Sequence, residues 1–193
     1  PSYNCEYKKM EDTQFSDLVI DSDIRNIVVE LNKSGIISGY PDGTFRPDKH
    51  INRAEFTKIV VGAAYDDDVA TVETPWHGVS TTTDASCFSD VPNDAWFAPY
   101  VCYAADDGAI GGYPDGTFRP AQNVNAAEAA KMLVEAFSVA TEDEDIGEWY
   151  ETYMNALYEY DVIPSTVQSP SHLITRAEMA EMIYRIIKSK IVD

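Results

Sequence analysis

Nine residues, GYPDGTFRP, stand at Gly39–Pro47 and again unchanged at Gly112–Pro120, 73 residues further on. The same offset carries Phe15-Ser16-Asp17 onto Phe88-Ser89-Asp90 and Glu55 onto Glu128. A repeat of this fidelity restricts the chain to an array of small units that cannot bury their apolar faces alone and so share one core. A third copy is more divergent. Trp149-Tyr150 matches Trp96-Phe97 and Ile163 matches Ile110 at an offset of 53, whereas Glu178 matches Glu128 at an offset of 50. The third loop, 164–173, has therefore lost three residues net, and it contains no GYPDGTF.

Each copy reads as helix, loop, helix. In the first, Ile24, Ile27, Val28 and Leu31 recur at helical spacing and Gly35 stops the helix. Tyr40-Pro41-Asp42-Gly43 then suits a type I turn, since proline pre-sets the second position and glycine favours the fourth. A second helix begins after Asn52 with Phe56, Ile59, Val60 and Ala63 on one face. In the second copy Trp96, Tyr100, Tyr103 and Ala104 form the first stripe, Gly108 ends it, and Ala129, Met132, Leu133 and Ala136 form the next. Met179, Met182, Ile183 and Ile186 keep that face in the third. The expected organisation is a lead over 1–14, units over 15–65, 87–137 and 146–193, and acidic connections over 66–86 and 138–145. The fold class is all-α, with six apolar stripes buried together around a common axis. An open superhelical stack is the other geometry, and three copies without capping repeats favour closure.

Charge limits the partners. With 33 acidic against 14 basic residues the net charge is −19, which repels a nucleic-acid backbone and gives no general affinity for anionic lipid. No apolar run is long enough to span a bilayer, so direct membrane insertion is not expected. An anionic ligand would have to be caught locally, by a few placed cations or backbone amides. Cys87 and Cys102 fall in the same copy, one before its Phe-Ser-Asp and one in the helix that follows. A disulfide between them is expected, against the alternative of two buried thiols, and Cys5 is left odd. Asp66-Asp67-Asp68 and Glu142-Asp143-Glu144-Asp145 are dense in oxygen donors and raise calcium as a rival. They lack the alternate spacing and central glycine of a calcium loop and read as solvated linkers, so no metal or cofactor is assigned. His50, His77 and His172 lie in loops without a partnered nucleophile, and neither GxSxG nor HExxH occurs, so no enzyme is expected.

Three sets of marks follow one order. They are Phe15-Ser16-Asp17, Gly39–Pro47 and Asn52-Arg53-Ala54-Glu55; then Phe88-Ser89-Asp90-Val91-Pro92, Trp96 and Gly112–Pro120; then Trp149 and Ile174-Thr175-Arg176-Ala177-Glu178. In that order the chain resembles, from Phe15 to Lys188, the S-layer homology (SLH) domain family. The resemblance implies three repeats with pseudo-threefold symmetry around a shared helical core, in a secreted protein held at the cell surface or wall. It implies a cell-envelope polysaccharide as partner, often bearing a pyruvate ketal and bound in grooves between repeats, with other surface-layer subunits beside it. In the family the arginine of the Arg-Ala-Glu motif is the principal ligand contact, a role that carries over to Arg53 and Arg176. The second copy reads Asn125-Ala126-Ala127-Glu128 without an arginine, and the third has lost its Gly-Tyr loop. At most one or two of the three grooves are therefore expected to be competent. The rival reading is a structural module for protein–protein assembly in a surface layer, its glycan sites decayed.

Asn52, Asn125 and Thr175 each precede a helix, with Glu55, Glu128 and Glu178 three residues later, and these glutamates are read as helix caps in capping boxes. An anion at this end of a helix is favoured by roughly 0.3–1 kcal/mol. An arginine one residue after the cap adds a planar fork for a carboxylate. A cation there is locally unfavourable, so Arg53 and Arg176 need a reason to be retained; ligand binding is preferred and a buried salt bridge is the rival. Asn52 and Thr175 join them in the expected carbohydrate-binding set. Gly39 and Gly112 would let backbone amides approach the sugar closely. Tyr40, Tyr113, Trp96 and Trp149 would offer faces to the ring, although a place in the core is the first reading for the tryptophans. Arg46 and Arg119 complete the set, either closing the grooves or pairing with neighbouring acids.

Overall fold

The computed structural model describes residues 15–19, 22–65, 86–141 and 147–189. Among them lie six helices and no extended strand: α1 Asp23–Lys33, α2 Arg53–Ala64, α3 Ala98–Asp106, α4 Ala126–Ala136, α5 Glu151–Glu159 and α6 Arg176–Lys188. Each unit supplies two. None is long and apolar enough to cross a membrane. The acidic runs at 66–68 and 142–145, and Cys5, Trp76, His77 and Val79, fall outside the described residues.

The second helix of every unit starts the same way. Asn52, Asn125 and Thr175 accept the amide three residues on at 2.8, 2.9 and 3.2 Å. The carboxylates of Glu55, Glu128 and Glu178 in turn accept the cap residue's own amide. Beyond the caps these helices bury apolar residues on most sides, among them Phe56, Val60 and Val61 in α2, Ala129, Leu133 and Val134 in α4, and Met179, Met182 and Ile186 in α6. A helix with so little polar face is stable only in an interior, and α2 packs on both α4 and α6. By contrast α1 is amphipathic, burying Val28 and Leu31 while Ile24 and Ile27 stay partly exposed. Gly35 and Gly108, at φ 78° and 85°, turn the chain out of α1 and α3.

Closure comes from a ring of backbone hydrogen bonds. The Ile51 amide donates to the Ile174 carbonyl at 3.0 Å, Ile174 to Val124 at 2.9 Å, and Val124 back to Ile51 at 3.0 Å. These three fully buried residues occupy the same place in their units, one before the helix cap. The first two amides of each second helix then donate to the next unit's loop. Arg53 and Ala54 bond Gln122 and Pro120, Ala126 and Ala127 bond His172 and Pro170, and Arg176 and Ala177 bond Lys49 and Pro47, all between 2.8 and 3.1 Å. The order runs first to second, second to third and third to first, so the array is closed and not an open stack. Helix packing follows the same order, with α2 on α3, α4 on α5 and α6 on α1. The main helix pairs thus join neighbouring units. Cys87 and Cys102 form a disulfide with Cα atoms 5.4 Å apart, tying the segment ahead of Trp96 to α3.

Candidate functional site

The repeated loop is held rigid by its own polar groups. The Asp17 carboxylate accepts the amides of Phe45 and Arg46 at 2.7 and 2.6 Å, and Asp90 accepts those of Phe118 and Arg119 at 2.7 and 2.8 Å. This grip fixes Arg46 and Arg119 at φ 58° and 59°, a region that side chains rarely enter. Asp42 accepts the Thr44 hydroxyl, the Arg46 guanidinium and the Thr44 amide, which together hold its pKa down at about 2. Asp115 is held at about 2 by the equivalent groups of Thr117 and Arg119. Gly39 and Gly112 are needed for packing. A Cβ at either would strike the ring of Phe15 or Phe88 and lie 2.8 Å from the Thr44 or Thr117 carbonyl oxygen. The close approach that the missing Cβ permits at both positions is that of an aromatic ring.

Arg53 and Arg176 follow the caps, yet their side chains leave the helix and cross to the next unit. Arg53 donates from Nε to the Phe118 carbonyl at 2.8 Å and from Nη2 to Gly111 at 3.2 Å. Arg176 donates likewise to Phe45 at 2.8 Å and Ser38 at 3.0 Å. The two residues are only 4% and 5% exposed. Their guanidiniums lie 5.1 and 4.9 Å from the ring centres of Tyr113 and Tyr40, and slightly nearer those of Phe118 and Phe45. Loop carbonyls therefore explain why a cation persists at the positive end of a helix.

The two arginines differ in their acids. Arg53 Nη1 pairs with Glu128 at 3.4 Å, so a buried salt bridge does exist here. Among the described residues Arg176 has no ion pair, and burial lowers its pKa. Glu55 instead faces Lys49 at 3.5 Å, and Lys49 also donates to the Tyr40 hydroxyl at 2.9 Å. Gln122 takes the place of Lys49 in the second unit, donating to the Tyr113 hydroxyl at 2.7 Å, while that hydroxyl donates to Glu128.

Around each guanidinium a cleft opens whose walls come from three units. One, of about 170 Å³, is lined by Arg53 of the first unit, by Gly112, Tyr113, Glu128 and Lys131 of the second, and by Trp149 of the third. The other, of about 230 Å³, is lined by Arg176 of the third unit, by Gly39, Tyr40, Glu55 and Lys58 of the first, and by Trp96 of the second. Every residue of one set has its repeat counterpart in the other. Trp96 and Trp149 are each 56% exposed, which overturns the core reading. They precede α3 and α5 by two residues and meet the adjacent Phe97 and Tyr150 edge-on, so they lie off the buried helical stripe. Lys58 and Lys131 were missed; the offset of 73 that maps one onto the other was the available signal.

Other expected groups lie elsewhere. The amides at the start of α2 and α6 are spent on the next loop and the cap, so no backbone N–H of the first turn faces a ligand. Asn52 and Thr175 are consumed by capping and stand outside the cleft walls. Arg46 and Arg119 pair with Asp42 and Asp115 and lie 3.9 and 3.7 Å over the rings of Tyr40 and Tyr113. Each cleft tyrosine thus carries two guanidiniums against it. At the third boundary the same positions read Ala126 for arginine, Thr166 for tyrosine, Glu181 for lysine and Asp23 for tryptophan. There the Thr166 hydroxyl donates to Glu178 at 2.7 Å and His172 lies 3.0 Å from it, so the cap is satisfied without a tyrosine.

Comparison with known proteins agrees with this architecture. The S-layer homology domain model matches residues 14–57, 88–130 and 143–180. The chain is 27% identical over 174 residues to the middle cell wall protein of Brevibacillus brevis, a match covering 90% of this chain and 15% of that protein. To the surface layer protein of Brevibacillus choshinensis it is 26% identical over 174 residues, covering 90% and 14%. To the cellulosome-anchoring protein of Acetivibrio thermocellus it is 32% identical over 103 residues, covering 53% and 21%. The chain thus spans a small part of each of these relatives. Since the three matched segments take up more than half of its residues and fall on the three units of the ring, the chain belongs to the S-layer homology domain family.

Proposed function

We propose that this chain anchors a larger polypeptide to the cell envelope without a covalent bond, by holding an anionic, pyruvylated cell-wall polysaccharide in the Arg53 and Arg176 clefts. The observation that carries this reading is the joint distribution of the cleft residues. Arginine, lysine, tyrosine and tryptophan occur together at two boundaries and are missing together at the third. Their joint presence at two boundaries and joint absence at the third fit groups that serve one ligand. The cyclic bonding of Ile51, Val124 and Ile174 supports a pseudo-threefold relation among the units, which makes the three boundaries comparable.

The chemistry points to an acid on a sugar. In a chain of net charge −19 each cleft still gathers two cations, one of them buried among aromatic rings. Away from bulk water a guanidinium attracts a carboxylate more strongly than it does on an open surface. A pyruvate ketal places one small carboxylate on a pyranose whose C–H face suits an exposed indole. The cleft volumes of 170 and 230 Å³ admit one decorated ring. They fall below the roughly 300 Å³ at which drug-sized sites begin. The larger polypeptide is inferred from the relatives, of which the matched part is a minor share, and anchoring from the cellulosome-anchoring and surface-layer relatives. In this reading the chain supplies attachment and not catalysis.

Co-sedimentation with purified cell walls tests the reading. Lys58→Ala combined with Lys131→Ala spares both arginine clasps and is expected to abolish retention. Wild-type protein is expected to be released from walls whose ketals have been removed by mild acid. Equal retention of both proteins, or binding indifferent to the ketal, sinks the proposal and leaves assembly between surface-layer subunits as the account of the fold.

A further inference from the structure

We propose a second saccharide subsite adjoining the Arg53 cleft, for a neutral, hydroxyl-rich ring that follows the acidic one along the polymer; it rests on the reading of that cleft as a sugar site. The motivating feature is a trough of about 410 Å³ lined by Glu135, Ser138, Thr141, Thr152 and Tyr153, with Trp149 as a wall common to trough and cleft.

The two spaces run along one face of α4. Glu128, Lys131 and Glu135 stand at i, i+3 and i+7, a row about 10 Å long on one side of a helix. The first two line the cleft and the third lines the trough. The half-exposed indole of Trp149 stands where the spaces meet. A polymer whose acidic end ring lies at Arg53 therefore has, across the Trp149 indole, a neighbouring trough for its next ring.

The lining selects the ligand class. Four hydroxyls and one carboxylate match the donors and acceptors of a neutral sugar, and the Glu135 carboxylate, which accepts the Tyr153 hydroxyl, repels a second acidic ring. Lys131, the cation nearest this end of the cleft, lies 5.5 Å from the centre of the Tyr153 ring and does not line the trough.

The sister cleft is built differently at the corresponding place. The residue aligned with Ser138 is Tyr65 and the one aligned with Glu135 is Gly62. The Tyr65 phenol bonds Asp107 and its ring meets Tyr103 edge-on at 5.1 Å, so the serine hydroxyl and the glutamate of the trough have no counterpart there. The Arg176 cleft is thus a site for one ring and the Arg53 cleft a site for two.

The test uses the full chain, with the indole N–H signals of Trp149 and Trp96 in NMR reporting the two clefts separately. The probes are a pyruvate-ketal methyl hexoside and the same sugar extended by one neutral hexose at its glycosidic end. The second ring is expected to tighten binding at Trp149 by about tenfold, equivalent to roughly 1.4 kcal/mol, and to change nothing at Trp96. Thr152→Phe, which fills the trough from α5, should erase that gain while leaving the single-ring affinity at both tryptophans. Glu135→Ala should reduce the gain severalfold without adding bulk. No gain at Trp149, an equal gain at Trp96, or a gain that survives both substitutions overturns the subsite alone. If the single ring shifts neither tryptophan, the parent reading falls and the subsite falls with it.

Discussion

The Nε of Arg176 donates to the Phe45 carbonyl oxygen at 2.8 Å, fastening the last helix to the first loop across 131 residues of chain. A second bond runs from Nη2 to Ser38 at 3.0 Å. One residue is therefore both a fastener of the closed ring and the buried cation of a cleft. Arg176→Ala leaves two loop carbonyls without their partner and is expected to cost about 2–4 kcal/mol of stability. Arg176→Lys replaces a planar fork by a single point donor and should recover less than half of that loss. Denaturant unfolding of the three proteins measures this. A stable Arg176→Ala variant would mean that the two bonds are incidental to closure.

Charge separates the two clefts. Arg176, Lys58 and Lys49 face the single carboxylate of Glu55, whereas Arg53 and Lys131 face Glu128 with the neutral Gln122 beside them. A singly charged sugar is expected to bind the Arg176 cleft more tightly. Lys49 is 42% exposed on its side chain, so solvent limits its effect, and Lys49→Gln should weaken that cleft by about two- to fivefold. Gln122→Lys should strengthen the other by a similar factor, and added salt should shrink both effects. Titrations monitored at Trp96 and Trp149 check the order; equal affinities in the wild type refute it.

Gly39 has no room for a side chain. Gly39→Ala forces the Phe15 ring aside and is expected to cost about 1–3 kcal/mol as an overpacked core does. Gly43, at φ 78° with nothing within 4 Å of where a Cβ would stand, offers the contrast. There alanine meets only the left-handed backbone penalty, about 1–2 kcal/mol. Thermal unfolding distinguishes the two causes when paired with Phe15→Leu, which should relieve the ring clash of the first substitution, leaving its approach to the Thr44 carbonyl, and do nothing for the second. Absence of that rescue contradicts the packing account.

Acid should act on the repeated loops late. Asp42 and Asp115 have folded pKa values of about 2, below the 3.8 of an unperturbed aspartate. The folded value is the lower one, so the loops' contribution is complete above about pH 4 and is lost as pH falls toward 2. The side-chain carboxyl resonances of both residues are expected to titrate with midpoints near 2 in the folded chain. Midpoints at the unperturbed value would show that the Thr44 and Thr117 bonds do not persist in solution.

Much of the local structure was legible. The capping boxes at Asn52, Asn125 and Thr175 could be read because donor and acceptor lie three residues apart, and the GYPDGTFRP turn because its constraints are those of neighbouring residues. The cleft residues were legible only in part. Spacing assigned Trp96 to a buried stripe, but the helix begins two residues later and leaves the indole outside. Lys58 and Lys131 are marked by the repeat offset, yet periodicity alone does not say that they line a cleft. Arg53 is placed at a helix start by its sequence, while its partners Phe118 and Gly111 belong to another unit.

By itself the sequence determined the number of units, the start of each unit's second helix and the loop conformation, because these depend on bonds between residues close in the chain. Only the tertiary structure decided that the ring closes through Ile51, Val124 and Ile174, that helices pair between units, and that each cleft takes its arginine, its tyrosine and its tryptophan from three different units. Those choices rest on contacts between segments dozens of residues apart, which no local spacing records.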